Sequence, residues 1–298
     1  MLVALSGGPD SLALAAATAF EAPRAGYRAG AVIVNHALQA GSADVAAAAA
    51  RQATDLGLDP VLVRDVAVGV EGGPEAAART ARYTALAAAA AETGATWVLL
   101  GHTLDDQAET VLLGLARGSG ATSMQGMDRV SGIYRRPLLG IRRASTEGFC
   151  VDSALAPWTD PQNSDPAFTR VRVRTRVLPM LEAELGPGIT EALARTADQL
   201  REDSDALDHF AEEVAEELAD MAEAGISLPV GALASNPPAL RQRLIRLAVQ
   251  SEFHLSLSRA HTLEVARLVT DWHGQGALDL PGIRVERQGS LLVFTANG

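Results

Sequence analysis

The chain has 298 residues, 48% of them hydrophobic, with a formal net charge of −11, one cysteine and no lysine among its 25 cationic side chains. That length buries a sizeable core and suits two domains. The lone Cys150 excludes an internal disulfide and a cysteine-based zinc site, and no 18-residue apolar run is free of charge, so no membrane span is predicted.

Leu2-Val-Ala-Leu5 is a short apolar run that stops at Ser6-Gly7-Gly8 and resumes, after Pro9-Asp10-Ser11, as a helical pattern over 11–20. This reads as strand, tight turn and helix N-terminus. Two glycines keep Cβ atoms away from a ligand, and Asp10 or Ser11 can cap the helix. Free N–H groups and the helix dipole make such a start an anion site. A Walker A loop needs a lysine, and none is present. Met1 leads into the first strand without a basic leader, so a cytoplasmic protein is expected.

The alternation continues with a strand at 31–36 ending in Asn35-His36, a helix at 44–56, a strand at 60–66, a helix at 75–92, a strand at 96–101 and a helix at 105–117. Strands without a polar face, alternating with helices, predict an α/β fold with a doubly wound parallel sheet. Ligands of such sheets sit beyond the carboxyl ends of the strands. Ser6, Asn35-His36 and Gly101-His102 all fall there and are candidate nucleotide contacts. A glycine/serine-rich loop covers 118–128, a fifth strand is expected at 133–138, and 156–166 is irregular. Leu185-Gly-Pro-Gly188 breaks the chain, which places a catalytic domain at 1–185 and a mainly helical domain at 186–298. The latter is read as an acidic helix over 189–223, helices at 238–251 and 259–272, and a closing β hairpin, 283–287 with 291–295.

Charge is unevenly placed. Residues 129–176 carry nine arginines against four acids, whereas 198–223 carry eleven acids against one arginine. The overall acidity therefore does not exclude an RNA partner, and the acidic helix is a candidate homodimer surface. Arg135-Arg136 and Arg170, Arg172 and Arg174 are the basic stretches. Alternating arginines project to one face of a strand or fan out on a helix, and guanidinium matches phosphate by paired hydrogen bonds. On the helix after Gly101, Asp106 and Glu109 share a face. They serve either as acids favoured by the dipole or as ligands for Mg²⁺ or a cationic substrate. Arg79 and Arg82 share a face of the 75–92 helix, either solvated or facing phosphates.

The hexamer SGGPDS at 6–11 resembles the PP-loop of ATP pyrophosphatases, which cleave ATP to AMP and pyrophosphate. Together with VNHAL (34–38), EAAARTARY (75–83), GHTLDDQAETVLL (101–113), LARGSG (115–120), RRPLLGIRR (135–143) and APWTDPQNSDPAFTRVRVR (156–174), it resembles the tRNA(Ile)-lysidine synthase family. A weaker likeness over 240–295 ends in ALDLPGIRVER. The resemblance implies ATP-dependent adenylation of the wobble cytidine of a CAU anticodon, followed by displacement of AMP by free L-lysine. It implies that Ser6, Gly7, Gly8, Pro9, Asp10 and Ser11, with Asn35, His36, Gly101 and His102, hold ATP, and that Asp10 holds Mg²⁺. Arg82 would lie near the adenylate, and Asp106 and Glu109 would bind the lysine ammonium, either being a candidate acceptor of its proton. Arg135, Arg136, Arg170, Arg172 and Arg174 would meet tRNA. The chain departs from the family at Val171, where asparagine is usual, and at Gly114, where arginine is common. With no second C-terminal domain in view, tRNA recognition is expected to rely on the catalytic domain and one helical appendage. Other readings are a PP-loop tRNA thiolase, disfavoured by the single cysteine, an ammonia-using synthetase, and a nucleotide sensor without chemistry.

Overall fold

The computed structural model describes residues 1–37, 41–69, 73–118, 120–218, 220–222 and 225–297. Leu38 of the second motif and Ser119 of LARGSG lie outside them. The chain divides into two compact units, Met1–Leu200 and Arg201–Gly298.

In the first unit four strand–helix pairs follow one another: β1 (Leu2–Ala4) and α1 (Pro9–Arg24), β2 (Gly30–Asn35) and α2 (Ser42–Asp55), β3 (Val61–Asp65) and α3 (Pro74–Thr93), β4 (Val98–Leu100) and α4 (Leu104–Arg117). The first strands are apolar throughout because helices cover both faces. Val3 and Leu5 pack with Leu12, Ala15 and Ala49, while Leu2 and Ala4 pack with Leu86, Ala89 and Leu100. These four strands run parallel in the order β3-β2-β1-β4. The winding reverses between β1 and β4, so a crevice opens at their carboxyl ends. The doubly wound sheet is as expected.

Beyond α4 lie α5 (Ala121–Met124), β5 (Val130–Ser131), β6 (Tyr134–Arg135) and α6 (Arg143–Asp152). The strand expected at 133–138 is only two residues long, parallel to β4, and β5 adds an antiparallel edge. A 3₁₀ turn at Pro161–Ser164 precedes a continuous helical stretch: α7 (Thr169–Arg172), a π-helical turn at Val173–Val177, and α8 (Leu178–Leu185). The arginine alternation at 170–176 is therefore helical. Arg170 and Arg174 share one face and Arg172 points elsewhere. Glu182 accepts hydrogen bonds from the backbone amides of Gly188, Ile189 and Thr190 and from the Thr190 hydroxyl, closing the turn after α8.

The breaker at 186–188 separates α8 from α9 (Ile189–Leu218), and the division between the units falls inside α9. That helix stops at Leu218, short of the expected 223. The second unit continues with β7 (Asp220–Ala222), β8 (Gly225–Pro229), α10 (Val230–Ser235), α11 (Pro238–Phe253), α12 (Arg259–Thr270), β9 (Leu278–Leu280), β10 (Ile283–Gln288) and β11 (Leu291–Ala296). The expected hairpin is β10–β11, embedded in a five-stranded antiparallel sheet of order β7-β8-β11-β10-β9. Its flanking strands escape a sequence reading because three to five residues are too few to show a period. Leu233, Ile245, Val249, Val265, Ile283, Val285, Leu292 and Phe294 form the core of this unit.

Gly114 sits where α4 meets α5. A Cβ there would lie 2.2 Å from the Ser123 carbonyl oxygen, so this backbone excludes the arginine common in the resembling family. Alanine would gain about 1 kcal/mol of helix propensity over glycine, yet forcing the backbones apart costs typically 1–3 kcal/mol. Gly114→Ala is therefore expected to lower the melting temperature by a few degrees in a thermal denaturation scan. A rise would contradict the close approach.

Candidate active site

The chain leaves β1 at Ser6 and enters α1 at Pro9, whose fixed φ and missing N–H suit a first helical position. Gly8 is the N-cap and no side chain caps α1, so the expectation that Asp10 or Ser11 does so is not met. The Ser11 hydroxyl donates to the Gly8 carbonyl, accepts from the Ser6 amide and lies 3.0 Å from the Ser6 hydroxyl. The loop is thus tied to itself, and the first-turn amides stay available to an anion. Gly7 adopts a left-handed φ of 86°, and its carbonyl accepts from the Trp158 amide at 2.8 Å. At the end of β4, a Cβ on Gly101 would come within 3.0 Å of the Ser11 backbone. Glycine at 101 therefore allows α4 to start beside α1.

A cavity of about 210 Å³ opens beside the loop, lined by Ser6, Val32 to Ala37, Val45, Ala46, Arg82, Leu86, Trp158, Asp160 and Gln162, among others. Asn35 is spent structurally: its amide donates to Asp65 at 2.8 Å and its oxygen accepts from the Ala37 amide. His36 Nδ1 is buried and has no hydrogen-bond partner among the described residues. Among the described residues, Arg82 makes no hydrogen bond or ion pair, yet it lines this cavity. Burial, reinforced by the Arg82 charge, lowers the His36 pKa. The same two causes push that of His102 down to about 3, so both imidazoles are neutral at neutral pH.

Thr103 and Asp106 form a reciprocal capping box at the start of α4. One Asp106 oxygen accepts from the Thr103 amide and hydroxyl, both at 2.9 Å. The other faces Arg143 Nη2 at 2.9 Å and Arg174 Nη2 at 3.4 Å. The Glu109 side chain is fully buried and meets three guanidinium groups. Arg174 donates to both its oxygens, at 2.7 and 3.1 Å, Arg143 Nη1 lies at 3.4 Å, and Arg170 Nε at 3.2 Å. Burial works to raise the Asp106 pKa, but Arg143 and the capping bonds outweigh it and hold the carboxyl below its ordinary value. Arg143 Nε also reaches Asp10 at 3.3 Å, and the Thr146 hydroxyl donates to the other Asp10 oxygen. Here burial wins, and the Asp10 pKa is raised. A second cavity of about 130 Å³ adjoins Glu109, lined by Asp105, Arg142, Arg143, Arg174, Leu178, Pro179, Glu182 and Thr190.

Residues 1–181 match the PP-loop domain family, and residues 228–290 match the TilS substrate binding domain. The tRNA(Ile)-lysidine synthase of Leifsonia xyli is 65% identical over 99% of this chain and 89% of its own length. The chain belongs to the tRNA(Ile)-lysidine synthase family. The synthases of Streptomyces coelicolor and Thermobifida fusca are each 52% identical, over 99% and 97% of this chain and 84% and 89% of their own lengths. A solved structure, the U34-tRNA thiolase NcsA from Methanococcus maripaludis with its [4Fe-4S] cluster, superposes with a TM-score of 0.54. It is 19% identical and covers 67% of this chain and 72% of that one, a likeness of fold alone.

In this member of the lysidine synthase family, Ser6 to Ser11, Gly101, Asp106 and Glu109 gather around the crevice. The arginines behave differently. Arg136 is 6% exposed and donates to His102 Nδ1, to the Asp128 carbonyl and to the Tyr83 hydroxyl. Arg170 and Arg174 face Glu109, and Arg172 binds the carbonyls of Pro166 and Ala167. Arg135, Arg170, Arg172 and Arg174 are all half-buried, and of these Arg135 and Arg172 meet no carboxylate among the described residues. Sequence reasoning passed over Arg143, although it stands in the quoted RRPLLGIRR. That motif carries four arginines, and linear spacing does not say which one turns toward the carboxylates.

The suppressed basicity of His102 has a measurable consequence. The unfolded imidazole takes a proton below about pH 6.5 and the folded one does not, so stability is complete above that pH and falls as pH drops toward 3. One such group contributes at most about 1.4 kcal/mol per pH unit. His102→Gln, which keeps an acceptor for Arg136, is expected to show a smaller loss in urea midpoint between pH 7 and pH 5 than the parent. Equal losses would contradict the neutral buried imidazole.

Proposed function

We propose the following division of labour in a chain that makes lysidine on tRNA(Ile) with ATP. The amides of Gly7, Gly8 and Ser11 at the head of α1, framed by the Ser6 and Ser11 hydroxyls, hold the triphosphate, where the helix dipole and aligned N–H groups favour negative charge. The base and ribose occupy the cavity walled by Val32 to Ala37 and Trp158, with the buried His36 Nδ1 as a polar contact. Arg82 stands in the same cavity as a free guanidinium that meets the phosphate on which adenylation takes place.

Mg²⁺ commonly binds through one or two carboxylates and the substrate's own phosphates, keeping several waters. Among the described residues no three metal-ligating side chains form a cage. Asp10, beside the phosphate loop, is the carboxylate suited to hold the ion, which would neutralise charge on the departing pyrophosphate.

The acceptor is the C2 oxygen of the wobble cytidine in a CAU anticodon. Its adenylation makes AMP the leaving group, and the ε-nitrogen of free L-lysine then forms the new C–N bond at C2. Asp106 and Glu109 orient that amine. The adjoining cavity combines carboxylates, guanidinium groups and the apolar Leu178 and Pro179, which suits an amino acid with an aliphatic stem and charged ends. The observation that carries this reading is the unbroken ionic chain from Asp10 through Arg143 to Asp106 and Glu109, which joins the phosphate loop to the carboxylate pair. Arg135 and Arg172, which meet backbone oxygens and the Thr169 hydroxyl and, among the described residues, no carboxylate, are the best placed of the five arginines to meet tRNA phosphates, while Arg136 acts through His102 and its loop.

Steady-state pyrophosphate release, measured with tRNA while lysine or ATP is varied, tests the pocket. Asp106→Asn and Glu109→Gln are each expected to raise the lysine KM at least tenfold while changing the ATP KM less than threefold, consistent with about 1.4 kcal/mol or more of lost binding to one substrate. Equal effects on both substrates would sink the assignment.

A further inference from the structure

Two carboxylates are assigned here to an incoming ammonium, yet both are already covered by cations. Asp106 and Glu109 face Arg143, Arg170 and Arg174, and Arg143 also faces Asp10. Three formal negative charges therefore meet three positive ones, and a fourth cation entering this cluster finds no unbalanced charge. A buried site of this kind rejects an unpaired ion strongly. Lysine can bind well only after one guanidinium has turned away.

Arg143 is the guanidinium placed to do so. Arg170 is also anchored on the Thr110 hydroxyl at 2.7 Å, and Arg174 binds Glu109 through two atoms. Arg143 spreads over three carboxylates with contacts of 2.9, 3.3 and 3.4 Å, one of them at the head of α1 where the nucleotide phosphates belong. A phosphate beside Asp10 competes for the same planar donor set, to which it is well matched.

We propose that Arg143 is a positioning residue that couples the two substrates: it fills the amine pocket in the free enzyme and moves toward the nucleotide when ATP binds, so that lysine binds the ATP-loaded enzyme. The proposal rests on the assignment of Asp106 and Glu109 to lysine. Coupling of this kind is reciprocal, so lysine must raise nucleotide affinity by the same factor.

Equilibrium dialysis of labelled L-lysine against the full chain, with and without α,β-methylene-ATP, tests it. In the parent the nucleotide analogue is expected to tighten lysine binding about tenfold or more, within the usual range of coupling between sites. In Arg143→Gln the enhancement should fall below about twofold, with lysine binding more tightly to the free enzyme because its competitor is gone. Arg143→Lys keeps a cation but not the planar fork, and should lose most of the enhancement while melting near the parent temperature; it decides the question if the glutamine variant fails to fold. An enhancement absent from the parent, or unchanged in a folded Arg143 variant, overturns the coupling. Asp106→Asn and Glu109→Gln, run with the analogue present, separate the two levels. If they leave lysine binding intact, the pocket assignment itself falls. If they abolish it while Arg143 variants keep full enhancement, only the role of Arg143 falls.

Discussion

A fully buried glutamate held by three arginines is the constraint around which the first unit is built. Glu109 lies on α4, Arg143 at the start of α6, and Arg170 and Arg174 on the helical stretch that leads to α8. One side chain therefore fixes three segments that are distant in sequence. Breaking a buried ion pair by removing one partner costs typically about 3–5 kcal/mol, because the other charge is left without compensation. The capping box does the same for Asp106, with one oxygen tied to Thr103 and the other left to the cluster. The geometry of these carboxylates is set before any substrate arrives.

The sheet decides why that cluster lies beside the glycine-rich loop at the head of α1. The order β3-β2-β1-β4 brings the exits of β1 and β4 together, and Gly101 allows the chain after β4 to pass against the head of α1. As a result Asp10, from the phosphate loop, and Asp106 and Glu109, from the neighbouring helix, share one guanidinium. Arginine suits this place because it stays charged and presents several donors in a fixed plane. A chain with no lysine of its own offers only guanidinium side chains as occupants of the pocket, and these differ from an ammonium in size and directionality.

Much of this was legible in the residues. Apolar strands alternating with helices specify the doubly wound sheet, and the glycine-rich turn at 6–8 marks the phosphate end. The i, i+3 spacing of Asp106 and Glu109 places both on one face of α4. What the sequence hides is partnership. Arg170, Arg172 and Arg174 look like a single basic stripe, but a helix through a π turn sends the first and last toward Glu109 and the middle one to nearby carbonyls. Arg136 looks like part of a surface pair, yet it is buried against His102, because only tertiary packing decides which of two adjacent arginines finds acceptors inside. The capping of α1 misled for a related reason: Ser11 has carbonyl, amide and hydroxyl partners within its own loop and does not serve as a cap.

Lysidine formation requires a phosphate site, an amine site and an RNA base to meet in one reaction, and the product reports on all three. Incubating the chain with ATP, L-lysine and a tRNA(Ile) transcript bearing a CAU anticodon, then digesting the RNA and weighing its nucleosides, examines that union directly. The expected result is a single cytidine, at the first anticodon position, heavier by one lysine less one water, with one AMP and one pyrophosphate formed per event. An unchanged cytidine despite ATP cleavage, or a nucleoside carrying sulfur, would contradict it.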